Sequence, residues 1–153
     1  MATSGDGYRI TVDPQKLAEV LRSPNGPVMR RLIEDGELVK REAQRLVGVY
    51  RPPDAYSAAT RRRRPGTLRD SITKRVVAGP GGQPEVQVGS DDKIALWHHE
   101  GTIPHTIRPR TKPLLVFFWP KVGRVVAFRS VNHPGTQPNR FLTKALAVLR
   151  GRY

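Results

Sequence analysis

Apolar positions recur along the chain in two rhythms, and the points where one gives way to the other divide it into elements. Val28, Leu32, Val39, Ala43, Leu46 and Val47 fall along one side of a helix, with Arg30, Arg31, Glu34, Lys40, Arg41 and Glu42 elsewhere. That spacing predicts an amphipathic helix from Val28 to about Val49. Pro27 opens it and Arg51-Pro52-Pro53 is expected to end it. Gly36 sits inside, where Gly costs about 1 kcal/mol relative to Ala, and marks a bend or close packing. Phe141, Leu142, Ala145, Leu146 and Leu149 repeat the helical spacing near the C-terminus. Asn139 or Thr136 is the expected cap of that helix.

Between the helices the rhythm shortens to alternation. Thr73–Ala78 and Glu85–Gly89, the latter with Val86 and Val88 on one face, flank Gly79-Pro80-Gly81-Gly82-Gln83-Pro84 and predict a β-hairpin. Leu114–Trp119 and Arg124–Arg129 flank Pro120-Lys121-Val122-Gly123 and predict a second. Ser90-Asp91-Asp92 should cap a short helix over Lys93–Glu100 carrying Ile94, Leu96 and Trp97. Tyr8–Val12 alternates like a short strand, and Asp13-Pro14 then starts a short helix over Lys16–Leu21, closed by Ser23-Pro24-Asn25-Gly26. The elements add up to an α+β fold: an antiparallel sheet of four to five strands packed against one long helix and a C-terminal helix.

Two proline-rich stretches interrupt the pattern and share a character. Trp97–Pro109 and Val131–Leu146 both combine prolines, small loop residues and histidines beside apolar anchors. His133-Pro134-Gly135-Thr136 is a turn signal, since Pro fixes φ and Gly accepts a positive φ. The two stretches are expected to be partners across one sheet.

Length and charge narrow the possibilities. At 153 residues the chain is expected to be a single domain, 1–153, with a basic loop at Asp54–Pro65. The absence of cysteine excludes disulfides and thiolate metal sites. No transmembrane run or signal peptide is seen, which sets the expectation of a protein made and used in the cytosol. Lys and Arg number 27 against 13 Asp and Glu, a formal net charge of +14. Such a charge attracts polyanions or an acidic neighbouring surface, although Arg-rich coding habit produces the same composition. Arg61, Arg62, Arg63 and Arg64 concentrate it, pointing to DNA phosphates, an acidic neighbour or simply a solvated loop.

The sequence holds almost no catalytic constellation. His99-Glu100 lacks the second histidine that a zincin helix needs, and a three-histidine metal site from His99, His105 and His133 is conceivable but nothing fixes it. Glu100 with His105 as an acid/base pair lacks a nucleophile or oxyanion loop. His105 and His133, each beside a proline, are better placed to hydrogen-bond loop backbone. Phosphate-cradling loops, dinucleotide fingerprints and paired carboxylates do not occur, so no cofactor or metal is expected. The adjacent aromatics Phe117, Phe118 and Trp119 must alternate between sheet faces, as a core and a subunit interface would use them, or as a base-stacking platform would.

An ordered set of motifs carries a resemblance. Gly66–Ile72 (GTLRDSI), Val88–Asp91 (VGSD), Trp97–Pro109 (WHHEGTIPHTIRP), Lys112–Phe117 (KPLLVF) and His133–Leu146 (HPGTQPNRFLTKAL) follow one another in that order. Over roughly Val28–Leu149 the chain resembles the tail-completion or neck proteins of long-tailed double-stranded DNA bacteriophages. The lambda tail-completion protein Z is related to that tail-component family. The resemblance implies a structural virion protein without catalysis. It would form a sixfold ring at the head–tail junction, between the head connector or stopper and the tail terminator or tail tube, with genomic DNA in the lumen. Glu100, Gly101, Thr102, His105, His133, Pro134, Gly135, Pro138 and Phe141 would then be architectural loop residues. Assembly would take place in the host cytoplasm. The chain departs from the family in its Arg-rich 54–65 loop and in Trp97-His98-His99, where family members tend to carry Tyr or another aromatic near the Glu. Two rivals stand beside this reading: a sequence-independent nucleic-acid-binding protein, and an RNA-cleaving toxin using His105, His133 and Arg140 on phosphate.

Overall fold

The computed structural model describes residues 11–49 and 63–152. Asp13 caps the first helix, α1 (Pro14–Arg22), its Oδ1 accepting from the Gln15 and Lys16 amides at 2.8 and 3.3 Å. The long helix α2 (Pro27–Val47) follows, with Pro at its first position. It stops two residues earlier than the apolar spacing suggests, where the Gly48 amide closes on Gln44 O at 3.2 Å. The expected terminator Arg51–Pro53 lies outside the described residues, as does Tyr8–Ile10 of the expected first strand; Thr11 and Val12 belong to no strand.

A one-turn helix α3 (Thr67–Asp70) leads into β1 (Ile72–Ala78), which pairs antiparallel with β2 (Pro84–Ser90) from Ile72↔Ser90 to Ala78↔Pro84. This hairpin lies on α2, and Gly36 is the seat. A Cβ there would stand 2.5 Å from Val86 Cγ1 and 3.1 Å from Lys74 Cδ. Of the two roles open to this glycine, close packing is the one it plays. Lys74 pins the same crossing by donating to Ile33 O at 3.2 Å while its Nζ lies 3.2 Å from Glu37.

Helix α4 (Lys93–Glu100) matches its expected bounds and is capped by Asp92, which accepts from the Ile94 amide at 3.0 Å. Four strands follow: β3 (His105–Ile107), β4 (Leu115–Trp119), β5 (Arg124–Phe128) and β6 (Val131–His133). The chain then ends in α5 (Phe141–Ala145) and a 3₁₀ turn, Leu146–Leu149. Val39 and Ala43 of α2, Ile72, Ala95, Phe141 and Ala145 form the core, with Phe141 fully buried at its centre. Leu46, Leu68, Val88 and Leu142 pack around it.

The fold is α+β, and its strands divide differently from a single sheet. Instead of one sheet of four or five strands, six strands among the described residues make three two-stranded antiparallel ribbons. β3 pairs with β6 and β4 with β5, nested in one hairpin. Together they form an arm whose outgoing strand makes an excursion at 108–114 opposite only 129–130 on the return. At about 3.3 Å per residue, Arg124 to His133 spans up to about 30 Å. Pro109 and Pro113 explain the interruption, since proline has no amide to donate to a ladder.

Candidate assembly surface

The two proline-rich stretches meet backbone to backbone. Thr102 and Thr136 form an isolated antiparallel bridge, exchanging amide–carbonyl bonds of 3.0 and 3.1 Å, and the Thr102 hydroxyl accepts from the Thr136 amide at 3.0 Å. His105 pairs with His133 three residues further out. Gly101 (φ 77°) and Gly135 (φ 88°) flank the bridge on opposite strands. A Cβ on Gly101 would overlap Thr136 O and crowd Pro138, and one on Gly135 would overlap Thr102 O. Glycine at both positions is therefore what lets the strands approach.

The same stretches join α4 to α5. The α4 carbonyls of His98 and His99 would otherwise lack partners at the helix end; they accept from the Asn139 and Arg140 amides at 3.1 and 3.0 Å. The His98 ring adds a 2.9 Å bond to the Asn139 amide side chain. His99 stands edge-on to Phe141, with ring centroids 5.2 Å apart, and its Nδ1 accepts from the Leu142 amide at 3.4 Å. The side chain at the start of α5 is thus supplied from another helix. Neither Asn139 nor Thr136 caps it: the cap position is Arg140, held at φ 49° without a side-chain bond. Glu100 is exposed, 3.5 Å from His99 Nε2.

The remaining histidines are tied to their own loops. His105 Nδ1 donates to Ile103 O at 2.8 Å, and His133 Nδ1 accepts from the Gly135 amide at 3.1 Å. Their rings stack at 5.1 Å. Both Nδ1 atoms are thus engaged with loop backbone. Among the described residues no group of three or more His, Asp or Glu is placed to hold a metal ion.

Arg61 and Arg62 lie outside the described residues, while Arg63 and Arg64 are engaged within the chain. Arg63 grips Asp92 with both terminal guanidinium nitrogens, and Arg64 Nη2 lies 3.1 Å from Asp70. The Arg63 guanidinium first, and then the Ile94 amide, hold the Asp92 carboxyl below its usual range. The two arginines thus tie the end of the basic loop to the last residue of α3 and to the N-cap of α4.

The arm is where apolar surface is left open. Leu115, Phe117, Trp119, Val126 and Phe128 share one face of β4–β5; Val116, Phe118, Val125 and Ala127 share the other. Both faces are apolar and each keeps side chains exposed: Val116 is 49 % exposed, Val125 42 %, Trp119 39 % and Phe128 37 %. Phe117 and Trp119 close over Phe128 with centroids 6.2 and 5.9 Å away, and with Val131, His133 and Pro134 they line a groove of about 530 Å³. Leu96, Trp97 and Ile103 add further exposed apolar surface near the arm's root. Trp97, expected as an anchor, is 53 % exposed; Ala95 is the buried residue of α4. Burial cannot be read from the order of residues in so short a helix.

No family model, curated protein or solved structure matches the chain. No described helix is long and apolar enough to cross a membrane.

Proposed function

We propose that the chain is a structural, non-catalytic protein of the bacteriophage head–tail junction. Its copies close into a ring, expected to be hexameric, between the head connector or stopper and the tail terminator or tail tube. Double-stranded DNA passes through the lumen, and the protein's place is in the virion after assembly in the host cytoplasm.

The bare arm is the observation that carries this. An isolated two-stranded ribbon is marginal in water, and one with apolar residues on both faces needs a cover. A neighbouring copy supplies it: the arm of each subunit lies against the next, a heterologous contact that closes into a ring if the rotation permits. The clasp at Thr102 and Thr136 fixes the root from which the arm projects, and three of the five motifs that carry the resemblance, Trp97–Pro109, Lys112–Phe117 and His133–Leu146, lie along α4, the clasp, the arm and α5.

The test is the mass of the purified protein in solution, alone and with its head and tail neighbours. A ring in either condition supports the proposal and gives the stoichiometry. A monomer that ignores every neighbour overturns it.

A further inference from the structure

Charge is distributed over this molecule as unevenly as apolar surface. No Asp or Glu occurs after Glu100. In the preceding part, carboxylates and cations are interspersed and paired: Glu37 with Lys40, Arg41 and Lys74, Glu42 with Arg45, Asp70 with Arg64 and Arg69, Asp91 with Arg75, and Asp92 with Arg63. On the arm, Arg108, Arg110, Lys112, Lys121, Arg124 and Arg129 are all exposed. Among the described residues none of these six side chains forms an ion pair or hydrogen bond.

They stand in two groups. Lys121 and Arg124 flank the tip of the β4–β5 turn, whereas Arg108, Arg110, Lys112 and Arg129 occupy the joint where the chain crosses between the ribbons. The five-residue strands separate tip from joint by about 15 Å. The apolar body lies between them, so a neighbour can cover it and leave both cationic ends free.

We propose that the arm binds the phosphate backbone of duplex DNA without regard to sequence, through these two groups. A surface of one sign, with no carboxylate to set register against a mixed partner, suits a polyanion better than a protein. Backbone contact is favoured over base stacking because three of the arm's four aromatics are packed on one another, Phe117 and Trp119 both lying on Phe128. The assignment moves the DNA-facing role from Arg63 and Arg64, which the fold uses, to the arm. It rests on the neck reading only for the source of the polyanion.

The experiment is fluorescence anisotropy of a mixed-sequence 30-base-pair duplex with the full chain, between 50 and 200 mM salt. If all six cations engage, log affinity falls with log salt at a slope of about −5.4, roughly a 1,800-fold loss over that range. Replacing Lys112, Lys121, Arg124 and Arg129 by Ser should flatten the slope to about −2, roughly a 10-fold loss. A charge-matched control replaces Lys16, Arg22, Arg30 and Lys93, exposed cations of the helical part, and should keep the steep slope. The pair Lys121→Ser/Arg124→Ser serves if the fourfold variant does not fold, and should reduce the slope by about 2.

Equal weakening in arm and control variants would overturn the proposal in favour of net charge alone. Stronger competition by a single strand or by polyglutamate of equal charge would overturn it in favour of those partners. A chain that forms the ring but ignores DNA defeats this proposal and leaves the neck reading standing. One that binds DNA through the arm yet never forms a ring does the reverse.

Discussion

Gly101 and Gly135 hold each other's strand in place. Each has a positive φ, and each α-carbon rests against the carbonyl of the threonine beside the other glycine. The Thr102–Thr136 bridge, the α4–α5 junction and the direction of the arm all depend on that mutual approach.

Gly101→Ala and Gly135→Ala should therefore each destabilise the chain by at least about 2 kcal/mol. Gly101 sits at φ 77° and ψ −172°, a region where a side chain costs about 1–3 kcal/mol before any overlap with Thr136 O is counted. Urea denaturation would read this as a lower midpoint at constant slope. A loss below about 0.5 kcal/mol would mean that the strands can part freely.

Phe141→Ala should cost about 3–5 kcal/mol, because a fully buried ring at the centre of a small core leaves a cavity. Thermal unfolding followed by circular dichroism should show this as a midpoint lowered by about 6–20 °C.

Gly36→Ala should destabilise through its Cβ meeting Val86, and Val86→Ala should relieve it. In a double-mutant cycle the pair is expected to couple by about 0.5–3 kcal/mol. Simple additivity would show that the β1–β2 hairpin shifts without resistance.

Trp119→Ser with Phe128→Ser should separate assembly from folding. Both side chains are partly exposed, so the isolated chain should lose little stability. Ring formation, read by solution mass with the neighbours present, should be lost.

The Asp92 tether should respond to acid in a defined direction. Its carboxyl pKa is lowered from 3.8, chiefly by Arg63 and then by the Ile94 amide. A lowered folded pKa contributes stability above the unfolded value, and that stability disappears as pH falls through the folded one. Thermal stability owed to this contact should thus be constant from pH 7 to about 5 and decline below about 3.8. Asp92→Asn should be less stable at pH 7 and lose that part of the acid dependence.

The helices and hairpins were legible because their causes are local. Asp13 and Asp92 carry their capping oxygens in sequence, the stripe from Val28 to Val47 has helical spacing, and proline–glycine turns separate alternating strands. The meeting of the two proline-rich stretches was legible as a partnership, though not as strands: three-residue pairings such as His105–Ile107 with Val131–His133 are too short to establish a rhythm. The roles of His98 and His99 were hidden for a related reason. Their partners Asn139 and Leu142 lie more than forty positions away in the chain.

The sequence by itself determined the α+β class, the starts of α1, α2 and α4, the turns and the excess of positive charge, since these follow from neighbours along the backbone. Tertiary structure alone decided that the strands form three ribbons rather than one sheet. It also decided that Arg63 and Arg64 bind carboxylates of their own chain, and that β4–β5 keeps both faces open. Pairing and exposure depend on which distant atoms arrive first at a surface, and alternation records only that a strand has two faces. Which of them is covered is a property of everything packed beside it.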